Sequence, residues 1–233
     1  DDPADIASGP ASPDRTTLAQ ARDVLRRYRL DAGASIAAFL DDVANETPKP
    51  GDLALEAVTT AVCANAADAL AAAAHCLQSA GFAPVLLGDA IDRPAAVLAR
   101  EHAARALNLC AEGRRVALIS GGETTVEVRN RNGRGGRNGE YLLALAGELK
   151  GAAGIYALAA DTDGIDGTQE NAGAFIGPAT LWRGAGRGLD AQSLLTANCS
   201  WDFFASLGDL LVTGSTGTNV NDLRLILVDA EQA

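Results

Sequence analysis

The sequence predicts an α/β fold, organised as two α/β domains with mainly parallel sheets. Strand-like and helix-like segments alternate along the chain at a spacing typical of parallel α/β layers. Of the 233 residues, 48% are hydrophobic but only 4% are aromatic, so the core must be built mainly from Ala, Leu and Val. Such side chains favour helices packed closely on a sheet, and the length suits one large domain or two small ones.

The first predicted domain covers residues 1–112 and opens with a loop rich in Asp, Pro, Ser and Gly. Thr16 or Thr17 is expected to cap the first helix, because a hydroxyl oxygen can accept a hydrogen bond from a free N–H group of the first turn. Gly81 ends the second helix, and Pro94 lies at the start of the third. The predicted elements are a helix over 16–30, a connector over 41–52, a strand over 55–65, a helix over 66–80, a strand over 83–90 and a helix over 93–110.

The second predicted domain covers residues 113–233. It opens with a buried strand that ends in the glycine pair Gly121-Gly122, and an alternating segment after it is predicted to be a second strand. Hydrophobic spacing then predicts a helix with its leucines inward, a strand running into an acidic loop, and a helical region in two pieces. The predicted elements are strands over 114–120 and 124–128, a helix over 138–150, a strand over 154–161, helices within 190–208 and two strands within 209–228.

Composition narrows the classes of partner. The formal net charge is −11 and no basic stripe with interleaved aromatic residues occurs, so we expect no nucleic-acid partner. No apolar run approaches the roughly 20 residues needed to cross a bilayer, so we expect no membrane association. Four well-separated cysteines predict buried free thiols in a cytoplasmic protein. The chain begins at Asp1 and contains no methionine, from which we expect a fragment or a processed chain.

Three polar clusters each follow an apolar strand, where open α/β sheets bind their ligands. The first combines glycines, which let backbone N–H groups approach an anion, with side-chain hydroxyls. Its alternative interpretation is a tight turn between two strands. Its members are Ser120, Gly121, Gly122, Glu123, Thr124 and Thr125.

The second cluster is the stretch GRGGRNGE at residues 133–140, directly before a predicted helix. Backbone donors at a helix N-terminus, together with the planar guanidinium of Arg137 or Arg134, suit a phosphate or a carboxylate. Asn138 could cap the helix or contact a ligand. The alternative is a hairpin loop whose arginines point into water.

The third cluster is Asp161, Asp163 and Asp166 in the acidic loop after a strand. Carboxylates at alternate positions can hold Mg²⁺, or one of them can take a proton from a substrate hydroxyl. An acidic turn on a strongly acidic protein is a weak signal by itself. The loop at 213–219 strengthens it, because its hydroxyls, glycines and amide suit phosphate or sugar-acid oxygens.

Other catalytic schemes have little support. His75 and His102 both fall in alanine-rich helices, where packing or solvent exposure explains them. No GxSxG elbow is present, which argues against a Ser-His-Asp hydrolase. No GxGxxG follows the first strand and no GxxxxGK[ST] occurs, so neither a nicotinamide fold nor a P-loop is predicted.

Six stretches in order, DDPADIASGPASPD, ETPKPGD, SGGETTV, GRGGRNGE, TDGIDG and VTGSTGTNVNDL, closely resemble the glycerate kinases that carry a C-terminal MOFRL domain. Some members are named hydroxypyruvate reductase. The resemblance covers nearly the whole chain. It implies ATP-dependent phosphorylation of D-glycerate with Mg²⁺, in a cleft between two α/β domains. Because the family is longer at its N-terminus, the first domain is expected to be incomplete.

The resemblance and the residues together assign roles. Arg137 is expected to contact the phosphate or the substrate carboxylate, with Asn138 and Glu140 fixing its loop. Asp161, Asp163 or Asp166 would hold metal or act on the hydroxyl, with Asp161 and Asp163 as the metal ligands. The predicted substrate- and nucleotide-binding residues are Gly121, Gly122, Glu123, Thr124, Asn138, Glu140, Thr213, Thr216, Thr218 and Asn219.

Two departures from the family and two other functions stay open. The family usually has Gln at the position of Gly139 and Pro at that of Ser215, and either departure is expected to change substrate preference. Reduction of hydroxypyruvate is one alternative, and a non-catalytic module that binds a sugar acid is the other. The expected partner is a small hydroxy acid such as glycerate, and a homodimer is the oligomer considered.

Overall fold

A computed structural model describes residues 2–232 and divides the chain into two compact units, Asp1–Cys63 and Ala64–Ala233. The first unit contains the helices α1 (Leu18–Tyr28) and α2 (Gly33–Asp41) and short 3₁₀ turns. Thr17 caps α1 as predicted, because its hydroxyl accepts from the backbone N–H of Gln20. None of the side chains described in this unit is fully buried.

The strand predicted over 55–65 is wrong. Leu55 ends a 3₁₀ turn, and residues 56–65 form neither helix nor strand. The β-branched residues there have the propensity for a strand, but propensity is realised only where a neighbouring strand supplies hydrogen-bond partners. Here the backbone pairs with no other strand in the part of the chain described.

The second unit alternates helices and strands, and its elements occur mostly where the hydrophobic pattern predicts them. Asn65 and Asp68 form a capping box at the start of its first helix, and Gly81, in a left-handed conformation, follows the end of that helix. The elements are α3 (Ala66–Ser79), β1 (Ala83–Gly88), α4 (Ala95–Ala111), β2 (Arg115–Ser120), α5 (Arg137–Leu149), β3 (Ile155–Asp161), β4 (Gly173–Ile176), α6 (Thr180–Ala185), α7 (Ala191–Thr196), α8 (Ser200–Leu207), β5 (Leu210–Leu211) and β6 (Asp222–Asp229).

The α/β class is confirmed, but the sheet is mixed rather than mainly parallel. Six strands form one sheet in the order β1-β2-β6-β3-β4-β5, and β1–β2 is the parallel pair. The other four pairings are antiparallel, because β6 runs between β2 and β3 opposite to both, and β4 runs opposite to β3 and β5. The spacing rule that predicts parallel strands therefore applies to β1-α4-β2 alone.

The division of the chain also differs from the predicted boundary at 112/113. Strands β1 and β2 lie on either side of that boundary and pair along their length, so residues 64–112 join the second unit. Two further corrections are local. Residues 124–128 contain an isolated bridge from Thr125 to Pro94 instead of a strand, and β4 and α6 were not predicted.

The core of the second unit lies between the sheet and the helices on one face. Tyr141, Leu142 and Leu145 of α5 pack with β-strand residues and with α4 and α8. On the other face α3 covers Ala117 and Ile119 through Leu70. The four cysteines are free as expected, but Cys63 and Cys76 are exposed and the other two are half-buried, so the prediction of buried thiols is wrong. No helix within residues 2–232 has the length and apolarity to cross a bilayer.

Candidate functional site

The predicted polar clusters meet at one edge of the sheet. Strands β2, β3 and β5 run in the same direction and end there, and β6 begins there, with Asp161 paired opposite Asp222. The glycine pair after β2, the acidic loop after β3 and the loop at 213–219 before β6 therefore share this edge. The N-terminus of α5 joins them through Arg137.

Packing explains the glycine pair after β2. Gly121 donates its backbone N–H to the carbonyl of Gly88 at 2.8 Å, and Gly122 adopts a φ of 92°. A Cβ at Gly122 would overlap the backbone of Ile91. The pair therefore forms a tight turn against the segment after β1, and Glu123 extends from it with a side chain that is 59% exposed.

Close packing also explains the glycines of residues 133–139, which we call the α5 wall. A Cβ at Gly133 would come within 2.6 Å of the carbonyl oxygens of Ala197 and Asn198, and one at Gly139 within 2.7 Å of Ser200 Oγ. At Gly136 an added Cβ would overlap Asp166. These glycines let the chain pass between the α7–α8 turn and the acidic loop, so the wall is a packed structure.

Asp166 occupies the helix N-terminus that was expected to bind an anion. Its two carboxylate oxygens accept from the backbone N–H groups of Asn138 (2.9 Å) and Gly139 (2.8 Å). Asp166 is 1% exposed, and burial is the main cause that raises its pKa to about 6. The contacts of Asp166 are those of a cap for α5, supplied from a distant loop.

Arg137 is the centre of the site and contacts three carboxylates. Its Nε donates to Asp222 at 2.9 Å, its Nη2 to Asp161 at 2.5 Å, and its Nη1 lies 3.3 Å from Glu123. Burial lowers the pKa of Arg137, but the attraction of Asp222, Asp161 and Glu123 outweighs it and leaves the pKa raised. The guanidinium is therefore charged and held in one orientation.

Asp222 and Arg224 are site residues that the sequence interpretation missed. The Asp222 side chain is fully buried and also accepts from Asn138 Nδ2 at 2.8 Å and Arg224 Nη1 at 3.3 Å. Arg224, 1% exposed, donates to the carbonyls of Gly121 and Gly122 at 3.1 and 3.2 Å. A signal for them existed, since two opposite charges at i and i+2 share one face of β6, and residues 225–228 of that strand are all apolar.

Two residues that lie behind the site, Tyr141 and His102, contact each other. Tyr141 lies below Arg224, with 5.8 Å between the guanidinium and the ring centroid, and its hydroxyl is 2.8 Å from His102 Nδ1. Burial, aided by Arg224, lowers the pKa of His102 to about 4, so this imidazole stays neutral. Packing therefore accounts for His102, and His75 is exposed, both as expected.

The β5–β6 loop, residues 213–219, is exposed and contacts the acidic loop. Thr216 donates its backbone N–H to the Asp163 carbonyl at 3.1 Å and its hydroxyl to the Thr162 carbonyl at 2.5 Å. Asn219 Nδ2 lies 3.4 Å from Asp163 Oδ2. Among the residues that the structure describes, Thr213 donates its hydroxyl only to the carbonyl of Gly214, and the Thr218 carbonyl accepts from Thr216. The structure thus brings this loop to Asp163.

The acidic residues form no preformed metal cage in the part of the chain described. Among the residues described, no group of three or more His, Cys, Asp or Glu side chains could hold a metal. Asp161 is engaged by Arg137 and by the backbone N–H of Asp163, while Asp163 Oδ2 has only the long contact to Asn219. Because Mg²⁺ keeps several waters and often takes one or two protein carboxylates, Asp163 is the suitable ligand. Burial is the main cause that raises the pKa of Asp161 to about 6.

A cavity of about 400 Å³ lies beside Arg137. Its wall comes from the α5 wall, the turn between α7 and α8, and the segment after β2. The lining residues are Thr124, Val126, Val128, Asn130, Arg131, Gly133, Gly135, Gly136, Arg137, Glu140, Gly167, Thr168, Asn198 and Ser200. A larger cavity of about 580 Å³ in the first unit is lined by none of the predicted site residues.

Residues 116–222 match the MOFRL family, and this range includes Arg137, Asp161 and Asp222. Residues 1–41 match a domain of unknown function, DUF4147. The resemblance to the glycerate kinases with a MOFRL domain is therefore confirmed.

Relatives of known name agree with this family. A protein of Agrobacterium vitis, provisionally named hydroxypyruvate reductase, is 47% identical over 98% of this chain and 52% of its own length. The D-glycerate 2-kinase of Thermotoga maritima is 34% identical over 96% of this chain and 52% of its own. The crystal structure of glycerate kinase from that organism matches with a TM-score of 0.81 over 98% of this chain and 54% of the neighbour. The chain spans about half the length of these relatives.

Proposed function

We propose that the complete gene product phosphorylates D-glycerate with ATP, and that this chain supplies one wall of the site. The observation that carries the proposal is the orientation of Arg137 by Asp161 and Asp222 at an edge bordered by glycine turns. Phosphoryl transfer depends mainly on positioning and charge stabilisation rather than on a protein nucleophile. A fixed guanidinium suits that chemistry, and the relatives named glycerate kinase support the substrate.

The roles follow from the contacts. Arg137 binds the substrate carboxylate or the transferred phosphoryl group through Nη1, the edge that faces exposed Glu123. Gly121 and Gly122 line the site through their backbone, and Thr124 through its side chain. Asp163 would hold a Mg²⁺ ion, which would neutralise phosphate charge. The loop residues Thr213, Thr216, Thr218 and Asn219 complete the phosphate side, and Asp161 and Asp166 keep Arg137 and α5 in place.

The test is an assay of ADP release with D-glycerate, ATP and Mg²⁺ on the complete gene product. We expect Arg137→Ala to lower kcat/KM by about 100-fold, the size typical for loss of one charge-stabilising donor. Arg187→Ala, an exposed arginine of the same unit, is the matched control and should leave kcat/KM unchanged. Unchanged turnover in Arg137→Ala would contradict the role of this residue.

Hydroxypyruvate reduction is the second candidate, favoured by the name of the Agrobacterium vitis relative. A dinucleotide fold needs a glycine-rich turn that leads directly into a helix. Here Gly121-Gly122 follows β2, but α5 begins only at Arg137. NADH oxidation by hydroxypyruvate in the absence of kinase activity would replace our proposal. Binding of glycerate without either activity would favour a non-catalytic module.

Two further proposals concern the environment of the protein. The four free cysteines support a cytoplasmic location, because free thiols persist in a reducing compartment. A homodimer is the oligomer to test, and light scattering of the complete gene product measures it directly.

A further inference from the structure

Three charged residues, Arg131, Arg137 and Glu140, line the cavity, and the last two lie on one face of α5. Arg137 and Glu140 are three residues apart on α5, and residues at this spacing lie next to each other on a helix surface. Both residues thus border the same space of about 400 Å³. A ligand that fills this space meets a cation and an acceptor within one helical turn.

Both groups have an unused edge. Arg137 commits Nε and Nη2 to buried carboxylates, and its Nη1 has only the half-exposed Glu123 at 3.3 Å. Glu140 accepts from Asn198 Nδ2 at 3.0 Å through Oε2, and Oε1 makes no hydrogen bond with any residue from 2 to 232. Burial raises the pKa of Glu140, so a hydroxyl that donates to Oε1 would offset the cost of burying its charge.

The rest of the wall argues for a small polar ligand. Gly133, Gly135 and Gly136 are lining residues without side chains, and Thr168 and Ser200 are lining residues with hydroxyl side chains. None of the lining residues is aromatic, so the wall offers no ring on which a nucleobase could stack. The β5–β6 loop and Asp163, which contact each other, do not line the cavity.

We propose that this cavity is the subsite for the hydroxy-acid substrate, in which Arg137 Nη1 binds the carboxylate and Glu140 Oε1 accepts from a hydroxyl. The inference rests on the proposed kinase function and divides its site in two. Arg137 is the boundary, with the acid on the Glu140 side and the Mg²⁺-bound phosphates on the Asp163 side. A carboxylate and a neighbouring hydroxyl are the two groups that define a small hydroxy acid.

The test compares Glu140→Gln with Asp163→Asn in steady-state kinetics of the complete gene product. Gln can still accept from Asn198, so the fold is preserved while the charge facing the hydroxyl is lost. We expect Glu140→Gln to raise KM for D-glycerate at least about 10-fold with KM for ATP within about twofold, the size of one lost hydrogen bond to a charged group. Asp163→Asn should do the reverse. A rise in KM for ATP in Glu140→Gln, or no change in KM for glycerate, would overturn the proposal.

A binding experiment separates failure of this inference from failure of the kinase proposal. Calorimetry with D-glycerate and with propionate, which lacks hydroxyls, needs no turnover. The wild-type complete gene product should bind glycerate at least about 10-fold more tightly than propionate, and Glu140→Gln should remove most of that difference. If Glu140→Gln does not fold, Glu140→Asp, with its shorter reach, takes its place. Equal affinity of the wild type for both acids would overturn the subsite even if the kinase assay succeeds.

Discussion

Two glycine-rich regions border the site, and their glycines have different physical roles. In the α5 wall an added Cβ at Gly133, Gly136 or Gly139 would collide with a neighbouring loop. In the β5–β6 loop Gly214 and Gly217 have positive φ angles and open space where a Cβ would go. Similar composition therefore gives a packed wall on one side and an exposed loop on the other. The wall can fix Arg137, whereas the loop has space around it, which in the proposed kinase would let it adjust to the phosphates.

The largest expected effect on stability comes from replacing Asp222, the buried carboxylate that contacts Arg137. Asp222→Asn leaves Arg137 and Arg224 without their shared counter-charge in a buried position, and removing one partner of a buried ion pair costs about 3–5 kcal/mol. We expect that loss in the free energy of unfolding, measured by urea denaturation. Glu123→Gln removes the exposed partner of the same arginine and should cost about 1 kcal/mol or less. Equal losses in the two variants would mean that the buried Asp222 stabilises the fold no more than the exposed Glu123 does.

The next effect tests the packing of the wall itself. Gly136→Ala places a methyl group against Asp166 and should destabilise the fold by about 3 kcal/mol, the upper range for overpacking. Gly147→Ala, in the same helix, meets no atom within 4 Å and should stabilise it by about 0.5–1 kcal/mol, because Ala has the higher helix propensity. Urea unfolding of both variants measures the contrast. An unchanged free energy of unfolding in Gly136→Ala would show that the wall has space for an added methyl group.

The sequence predicts the fold elements and the site loops better than it predicts the site's contacts. β2, β3 and α5 are found because their hydrophobic periodicity and turn residues are local signals. The rule that open α/β sheets bind ligands at the carboxyl ends of their strands brings the right loops together even in a mixed sheet. It does so because β2, β3 and β5 still end on the same side. Asp222 reaches Arg137 across 85 positions, and no local pattern reports such a pairing. The cap role of Asp166 is hidden for the same reason, since its helix begins 29 residues earlier, at Arg137. The four-residue strand β4 is too short for a periodic signal.

A third, smaller effect is the pH dependence of the wall. Asp161 and Asp166 both have a folded-state pKa of about 6, above the ordinary 3.8. Each therefore favours the folded state most below about pH 4, and that contribution is lost as pH rises through about 6. Between pH 4 and 7 the stability of the wild type should fall by about 2 kcal/mol relative to Asp166→Asn, measured by urea unfolding at each pH.

An exposed cap of another helix provides the control for that experiment. Asp190 caps α7, and hydrogen bonds from Ser193 lower its pKa. Its contribution is present above the ordinary pKa and is lost as pH falls. The difference between the wild type and Asp190→Asn should therefore change with pH in the opposite direction. Parallel curves for the wild type and Asp166→Asn would contradict a raised pKa in the wall.

The smallest effect on stability is expected in the β5–β6 loop, where the contrast with the packed α5 wall is greatest. Gly217→Ala meets no neighbouring atom, so its only cost is the left-handed backbone at φ 73°, about 1 kcal/mol. Because the loop contacts the acidic loop through Thr216 and Asn219, the change should act on KM for ATP more than on KM for glycerate. Urea unfolding and steady-state kinetics of the complete gene product measure the two quantities. A loss of stability as large as that of Gly136→Ala would place the loop with the packed wall. In that case the division of the site into a fixed side and an adjustable side would be wrong.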